Sequence, residues 1–198
     1  MTQLVLASAS SVRAQLLQSA GVAFDIFPAR IDETAIKQSL LSEGAKPRDV
    51  AETLAERKAI LVSSSRPEAL VLGADQVVDF HGELLSKSGN MSEARAQLVR
   101  LCGRPHRLIS AAVLVRDGAV LWRHVDEARL WMRDISDAFL DDYLAREGNA
   151  VLSSVGGYRL EDRGVQLFER IEGDYFSILG LPLVPLLTAL RDKGVLEK

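Results

Sequence analysis

A single cysteine, Cys102, occurs in the 198 residues, which excludes an intramolecular disulfide framework and leads us to expect a reducing, cytoplasmic setting. No apolar stretch approaches the roughly 20 residues that a membrane helix needs, and the longest, such as 69–72 and 179–187, are interrupted by Gly or Pro. A soluble chain with no membrane partner is therefore expected. The N-terminus has no basic start followed by a long apolar core, so it reads as a first strand and not as a secretory signal. Runs of Lys or Arg are also missing and the net charge is -3, so there is no electrostatic footprint for a nucleic acid duplex. His81, His106 and His124 stand apart without the spacing of a zinc site. A serine nucleophile is rejected because no serine sits in a Gly-x-Ser-x-Gly elbow and the nearest histidine to the N-terminal serines is far along the chain. Internal repeats, low-complexity tracts and linkers rich in Pro, Gly or Ser are absent as well.

What the chain does hold is the balance of one globular domain, 1–198, with room for two lobes: 47% hydrophobic and 26% charged residues. Residues 3–8 read as a strand, and Ser10 or Ser11 can cap a helix with Val12, Leu16, Leu17 and Ala20 at apolar positions, closed by Gly21. Residues 24–28 read as a second strand, and 31–34 start a polar, helical segment. Pro47 opens a helix with a clear period over 50–62. Residues 69–80 have the composition of a buried strand, which His81-Gly82 turns back into 83–85. Ser92 is expected to cap a helix to Leu101, and 107–116 and 119–133 to form an antiparallel hairpin about Asp117-Gly118. Ser136 then caps a helix, 165–171 is a strand, and Pro182 opens a final helix that Gly194 closes. Alternating helices and strands with at least one long hairpin predict an α/β fold built on a mixed sheet.

Few residues in this pattern break the rules of a packed interior, and those carry the chemistry. Asp75 lies inside the strand Leu70-Val71-Leu72-Gly73-Ala74-Asp75-Gln76, where an unpaired carboxylate is expensive. Either a bulge at Gly73 delivers it to water, or it is a metal ligand or general base. Lys58 shares the apolar stripe of its helix with Ala51, Leu54 and Leu61, so its ammonium either snorkels or is aimed into a site. The segment Ser8-Ala9-Ser10-Ser11-Val12-Arg13 joins strand to helix and offers N–H groups, hydroxyls and a planar cation to a phosphate, although Ser at a helix cap is ordinary. Lys87 reads as an exposed loop lysine, and Glu161 lies in a Gly-rich loop dense in both charges.

The order of these features resembles the Maf family along nearly the whole chain. Leu6-Ala7-Ser8-Ala9-Ser10 with Arg13 is similar to the family's opening. Asp32-Glu33, Leu54-Ala55-x-x-Lys58-Ala59, Gly73-Ala74-Asp75, Lys87 and Leu101-x-Gly103-Arg104-x-His106 follow in the family's order, and Phe168-x-Arg170-Ile171-Glu172-Gly173-Asp174-Tyr175-Phe176 through Gly180-Leu181-Pro182 completes it. The resemblance implies an elongated α/β fold with two lobes around a cleft, often a homodimer, and a metal-dependent hydrolase that splits a nucleoside triphosphate into monophosphate and pyrophosphate. In it Asp75 matches the proton acceptor, and Arg13, Glu33, Lys58 and Lys87 match other polar positions. Ser8 and Ser10 belong to the substrate-binding opening. Mg²⁺ or Mn²⁺ on Glu33 and Asp75 suits this set, because no thiolate or imidazole cluster is offered.

The family's Ser-Pro-Arg-Arg is replaced by Ser10-Ser11-Val12-Arg13, which removes one cation. Three positions that discriminate bases in the family read Val12, Gln76 and Glu161 here. They resemble the Trp, Gln and Glu of the subgroup acting on 7-methylguanosine triphosphate more than the Arg, Thr and Gln of the pyrimidine-selective one. A guanine-like base is therefore expected, with Glu161 accepting from its edge. The competing function is a non-catalytic nucleotide-binding regulator of cell division, to which retention of Asp75, Lys58, Lys87 and Glu33 is opposed.

Overall fold

The computed structural model describes residues 2–197. In chain order it forms β1 (Leu4–Leu6), α1 (Ser11–Ser19), β2 (Asp25–Ile26), α2 (Glu33–Ser42), α3 (Pro47–Ser65), β3 (Leu70–Phe80), β4 (Glu83–Leu85) and α4 (Met91–Leu101). There follow β5 (Pro105–Arg116), β6 (Ala119–Met132), α5 (Asp137–Glu147), two 3-10 segments (Gly148–Ser153 and Arg163–Leu167), β7 (Phe168–Glu172), α6 (Tyr175–Ile178) and α7 (Leu183–Asp192). Seven strands make one sheet in the order β2-β1-β3-β5-β6-β7, with β4 on β3. The sheet is mixed: β1 is parallel to β2 and β3, whereas β4 is antiparallel to β3 and β7 to β6. No helix of the described residues is long and apolar enough to cross a membrane.

The chain divides into two compact units, the first comprising the N-terminal segment to Gln76, Ser110–Asp126 and the segment from Asp174 onward, the second Val77–Ile109 and Glu127–Gly173. In the first unit the core shows the period of two that a strand dictates. Leu4, Leu6, Leu70, Leu72 and Ala74 pack with Leu17 of α1 and with Leu183, Leu186 and Leu190 of α7. Val71, Gly73 and Asp75 therefore turn to the opposite face, which α3 covers. The approach there is close: a Cβ on Gly73 would lie 2.1 Å from the Ala55 carbonyl and 2.9 Å from the Ala59 side chain. Gly73 is a packing requirement, and Asp75 stays buried within the strand β3 and is not delivered to water.

In the second unit α4 buries Ala94, Leu98 and Leu101, and α5 buries Leu140, Tyr143 and Leu144. Arg95 ties the two helices through Asp137 and Asp141 at 2.7 and 2.8 Å. The β3–β4 turn has His81 at φ 54 and Gly82 at φ 93, the backbone of a primed two-residue hairpin turn. Three expectations shift. The cap of α4 is Asn90, whose side chain accepts from the Glu93 N–H at 2.9 Å, and not Ser92. The strand expected over 165–171 starts at Phe168, because 163–167 coils into a 3-10 segment, in which the Val165 N–H donates to Asp162 O at 3.3 Å. The second strand is only Asp25–Ile26, an exposed edge ahead of Pro28.

Candidate active site

α3 presents Val50, Ala51, Leu54, Ala55, Lys58, Ala59 and Val62 on its buried stripe, so a lysine occupies a core position. Its ammonium does not snorkel. Lys58 Nζ lies 2.6 Å from Asp75 Oδ1 and 2.7 Å from Glu33 Oε1, and the Lys58 and Asp75 side chains are only 8% and 6% exposed. Glu33 is the first residue of α2, set there by the Asp32 cap, which accepts from the Ala35 N–H at 2.9 Å. The second Asp75 oxygen, Oδ2, is buried without a hydrogen-bond partner. A buried carboxylate oxygen left open in this way is expensive in an interior and calls for a partner that the protein itself does not supply, such as a water, an ion or a substrate.

The β1–α1 junction supplies the neighbouring polar groups. Ser10 caps α1 by accepting from the Arg13 N–H at 3.3 Å, and Ser8 Oγ accepts from the Ser10 N–H at 3.3 Å and from Arg13 Nη1 at 3.0 Å. Both hydroxyls thus use their oxygens internally and keep a hydrogen to donate. Arg13 is more confined than a phosphate-binding cation on a helix surface: Nε donates to Gly180 O at 2.7 Å and Nη1 to Ala74 O at 3.0 Å, which ties α1, β3 and the α6–α7 loop together. Burial pulls its pKa down, opposed by the negative charges of Asp75 and Glu33.

Gln76, next to Asp75 but on the other face of β3, is half-buried and donates through Nε2 to Ser110 Oγ, Ser177 O and Ile178 O. Val12 is half-buried on α1. Ser8, Ser10, Val12, Arg13, Glu33, Lys58, Asp75 and Gln76 thus all belong to the first unit. Lys87 and Glu161 belong to the second: Lys87 lies exposed in the loop after β4, and Glu161 is paired at 3.2 Å with Arg159, which also holds Asp162 at 2.9 Å. Ser110, Ser177 and Arg159, the partners that orient Gln76 and Glu161, were not singled out by sequence. The signal available was weak, since a serine inside the buried run Ile109-Ser110-Ala111 is tolerated far more readily than a carboxylate.

The charges Arg13, Lys58, Glu33 and Asp75 cancel, two of each sign, so these four alone give a polyanion no net attraction. The Asp75 and Glu33 carboxylates are hard oxygen donors suited to a divalent cation. No group of three or more His, Cys, Asp or Glu able to hold a metal exists among the described residues. Mg²⁺ is commonly held by one or two carboxylates with substrate phosphates completing its shell, which fits the two present.

A family model described as Maf-like protein matches residues 3–193. The chain belongs to the Maf-like family. Within reach of this family assignment are close relatives: it is 54% identical over 196 residues to the nucleoside triphosphate pyrophosphatase of Caulobacter vibrioides, covering 99% of this chain and 98% of that protein. It is 50% identical over 195 residues to the 7-methyl-GTP pyrophosphatase of Brucella abortus, covering 98% of each. The 7-methyl-GTP pyrophosphatase of Rhizobium meliloti is 50% identical over 194 residues, again 98% of each.

Proposed function

We propose that this protein hydrolyses a nucleoside triphosphate between the α and β phosphorus atoms, releasing a nucleoside monophosphate and pyrophosphate, and that it removes modified or noncanonical nucleotides. The observation that carries this is Asp75: a buried carboxylate with one oxygen on the Lys58 ammonium and the other without a partner. The names of relatives at about half identity point to the same activity. Oδ2 is the atom that takes a proton from the attacking water, while Lys58 fixes the orientation of the carboxylate through Oδ1. Ser8, Ser10 and the α1 N-terminus donate to the phosphates, with the Arg13 charge behind them. Lys87 contributes a further cation.

Glu33 and Asp75 are the residues that would hold Mg²⁺ or Mn²⁺. When bound, the ion neutralises phosphate charge that the self-balanced side chains leave uncompensated. Val12, Gln76 and Glu161 select the base, with a lean to guanine-like bases such as 7-methyl-GTP. The protein works in the cytoplasm as a homodimer, without nucleic acid or membrane partners, a setting supported by its single cysteine and acidic net charge.

Purified protein given a panel of nucleoside triphosphates with Mg²⁺ is expected to release pyrophosphate. Release of orthophosphate would make it a phosphatase, and tight nucleotide binding without turnover would make it a regulator.

A further inference from the structure

Lys58 already engages both carboxylates that could receive a divalent cation. Its Nζ lies 2.6 Å from Asp75 Oδ1 and 2.7 Å from Glu33 Oε1, so one ammonium bridges an oxygen of each. This is not a loose surface pair. The Lys58 stem lies on the buried stripe of α3, Asp75 is buried in β3, and Glu33 opens α2 beside its Asp32 cap. Secondary structure therefore fixes where each member of the bridge starts.

An ammonium and a divalent ion compete for such oxygens, because both are hard cations that take carboxylate ligands. The charges around the pair decide the competition. Arg13 lies close enough to feel Asp75 and Glu33, and the four side chains sum to zero, so a divalent ion arriving alone meets no net attraction. Asp75 Oδ2 has no hydrogen-bond partner, but no third His, Cys, Asp or Glu joins the two carboxylates to form a cage among the described residues. Mg²⁺ offered so few protein oxygens is commonly completed by substrate phosphates. A triphosphate also reverses the electrostatics. It brings more negative charge than the ion carries, so the chelate is an anion, and Lys58 and Arg13 attract it where they repel the bare ion.

We propose that Lys58 is an internal counter-cation: it keeps Glu33 and Asp75 from taking up a free divalent ion, so that the site accepts the ion only together with a nucleotide, as the anionic metal–triphosphate chelate. This rests on the nucleotide pyrophosphatase function proposed above. The ion is then part of the substrate, and the two carboxylates contact it once the phosphates have offset its charge.

The test titrates Mn²⁺ alone into the wild type, Lys58→Met and Lys58→Gln, followed by the electron paramagnetic resonance of the free ion and by melting temperature. The wild type is expected to leave submillimolar Mn²⁺ free and to melt unchanged. The variants are expected to bind it at least about tenfold more tightly and to melt higher with it, since an ion that binds only the folded state stabilises it. Calorimetry then follows the α,β-methylene analogue of GTP, which cannot be split at that bond; the wild type is expected to bind it at least about tenfold more tightly with Mn²⁺ than without. Uptake of submillimolar Mn²⁺ alone by the wild type overturns the inference, as does equal binding of the analogue with and without Mn²⁺, or folded variants that bind Mn²⁺ no more tightly than the wild type. Should neither variant fold, the two wild-type titrations decide. Pyrophosphate release from GTP with Mg²⁺ keeps the claims apart: tight uptake of Mn²⁺ alone together with turnover leaves the pyrophosphatase function standing without this inference. A wild type that neither binds the analogue nor releases pyrophosphate removes that function and the chelate with it.

Discussion

Lys58 Nζ lies 2.6 Å from Asp75 Oδ1, and both side chains are buried. Neither charge is tolerable there alone. Lys58→Ala leaves a buried carboxylate without its partner, so it is expected to lower stability by about 3 to 5 kcal/mol as well as to suppress turnover. A Lys58→Met, Asp75→Asn double variant removes both charges and is expected to regain most of that stability while staying inactive. Thermal unfolding and pyrophosphate release on the same preparations separate the two effects. A double variant as unstable as Lys58→Ala would mean that packing, and not the ion pair, sets the cost.

Gly73 lets α3 approach β3. An added Cβ would meet the Ala55 carbonyl at 2.1 Å, and backbone cannot swing aside as a side-chain end can. Gly73→Ala is therefore expected to cost at least about 2 kcal/mol and to reduce activity, since the same helix carries Lys58. Urea unfolding midpoints read the loss, and an unchanged midpoint would contradict the close contact.

His106 is pushed down by burial from 6.5 to about 4, and its Nε2 lies 2.6 Å from the Tyr158 hydroxyl. The unfolded chain protonates this residue near 6.5 and the folded chain only near 4, so between those values the unfolded state binds more protons. Stability is expected to fall as pH drops through this window, by up to about 3 kcal/mol from this residue, and to be unaffected by it at higher pH. His106→Gln keeps an acceptor for Tyr158 without a titrating ring, and should flatten that part of a melting-temperature profile. The same slope in the variant would assign the acid sensitivity to other groups.

Glu161 is oriented by Arg159, and Val12 offers no aromatic face. Glu161→Gln exchanges one acceptor oxygen for a donor and is expected to narrow the preference for guanine-like bases by about 1.5 to 3 kcal/mol. Val12→Trp is expected to favour 7-methyl-GTP over GTP by about 0.5 to 2 kcal/mol through stacking on a cationic ring. Competition of GTP with UTP reads the first effect and of 7-methyl-GTP with GTP the second, and constant ratios would remove these positions from base recognition.

The sequence carried the elements because their signals are local. Ser10 and Ser136 cap helices where a polar residue precedes a periodic run, and Asp117-Gly118 joins β5 to β6. Asp75 and Lys58 stood out because charge inside an apolar pattern needs a partner. That they are each other's partner was not legible, since periodicity says which face a residue occupies and not what lies opposite. Arg13 shows the limit most clearly. Its acceptors Ala74 O and Gly180 O are backbone atoms 61 and 167 residues away, which no side-chain motif encodes. The Ser110 and Ser177 partners of Gln76 were hidden for the same reason.

The unpartnered Asp75 Oδ2 bears the central role, so the most direct measurement is single-turnover pyrophosphate release from GTP or 7-methyl-GTP with Mg²⁺, wild type against Asp75→Asn. The amide is nearly isosteric but cannot take a proton from water. Pyrophosphate is expected from the wild type, with a rate loss of about 10² or more in Asp75→Asn at an unchanged fold by circular dichroism. Equal rates in the two proteins would contradict the role of Asp75 as proton acceptor.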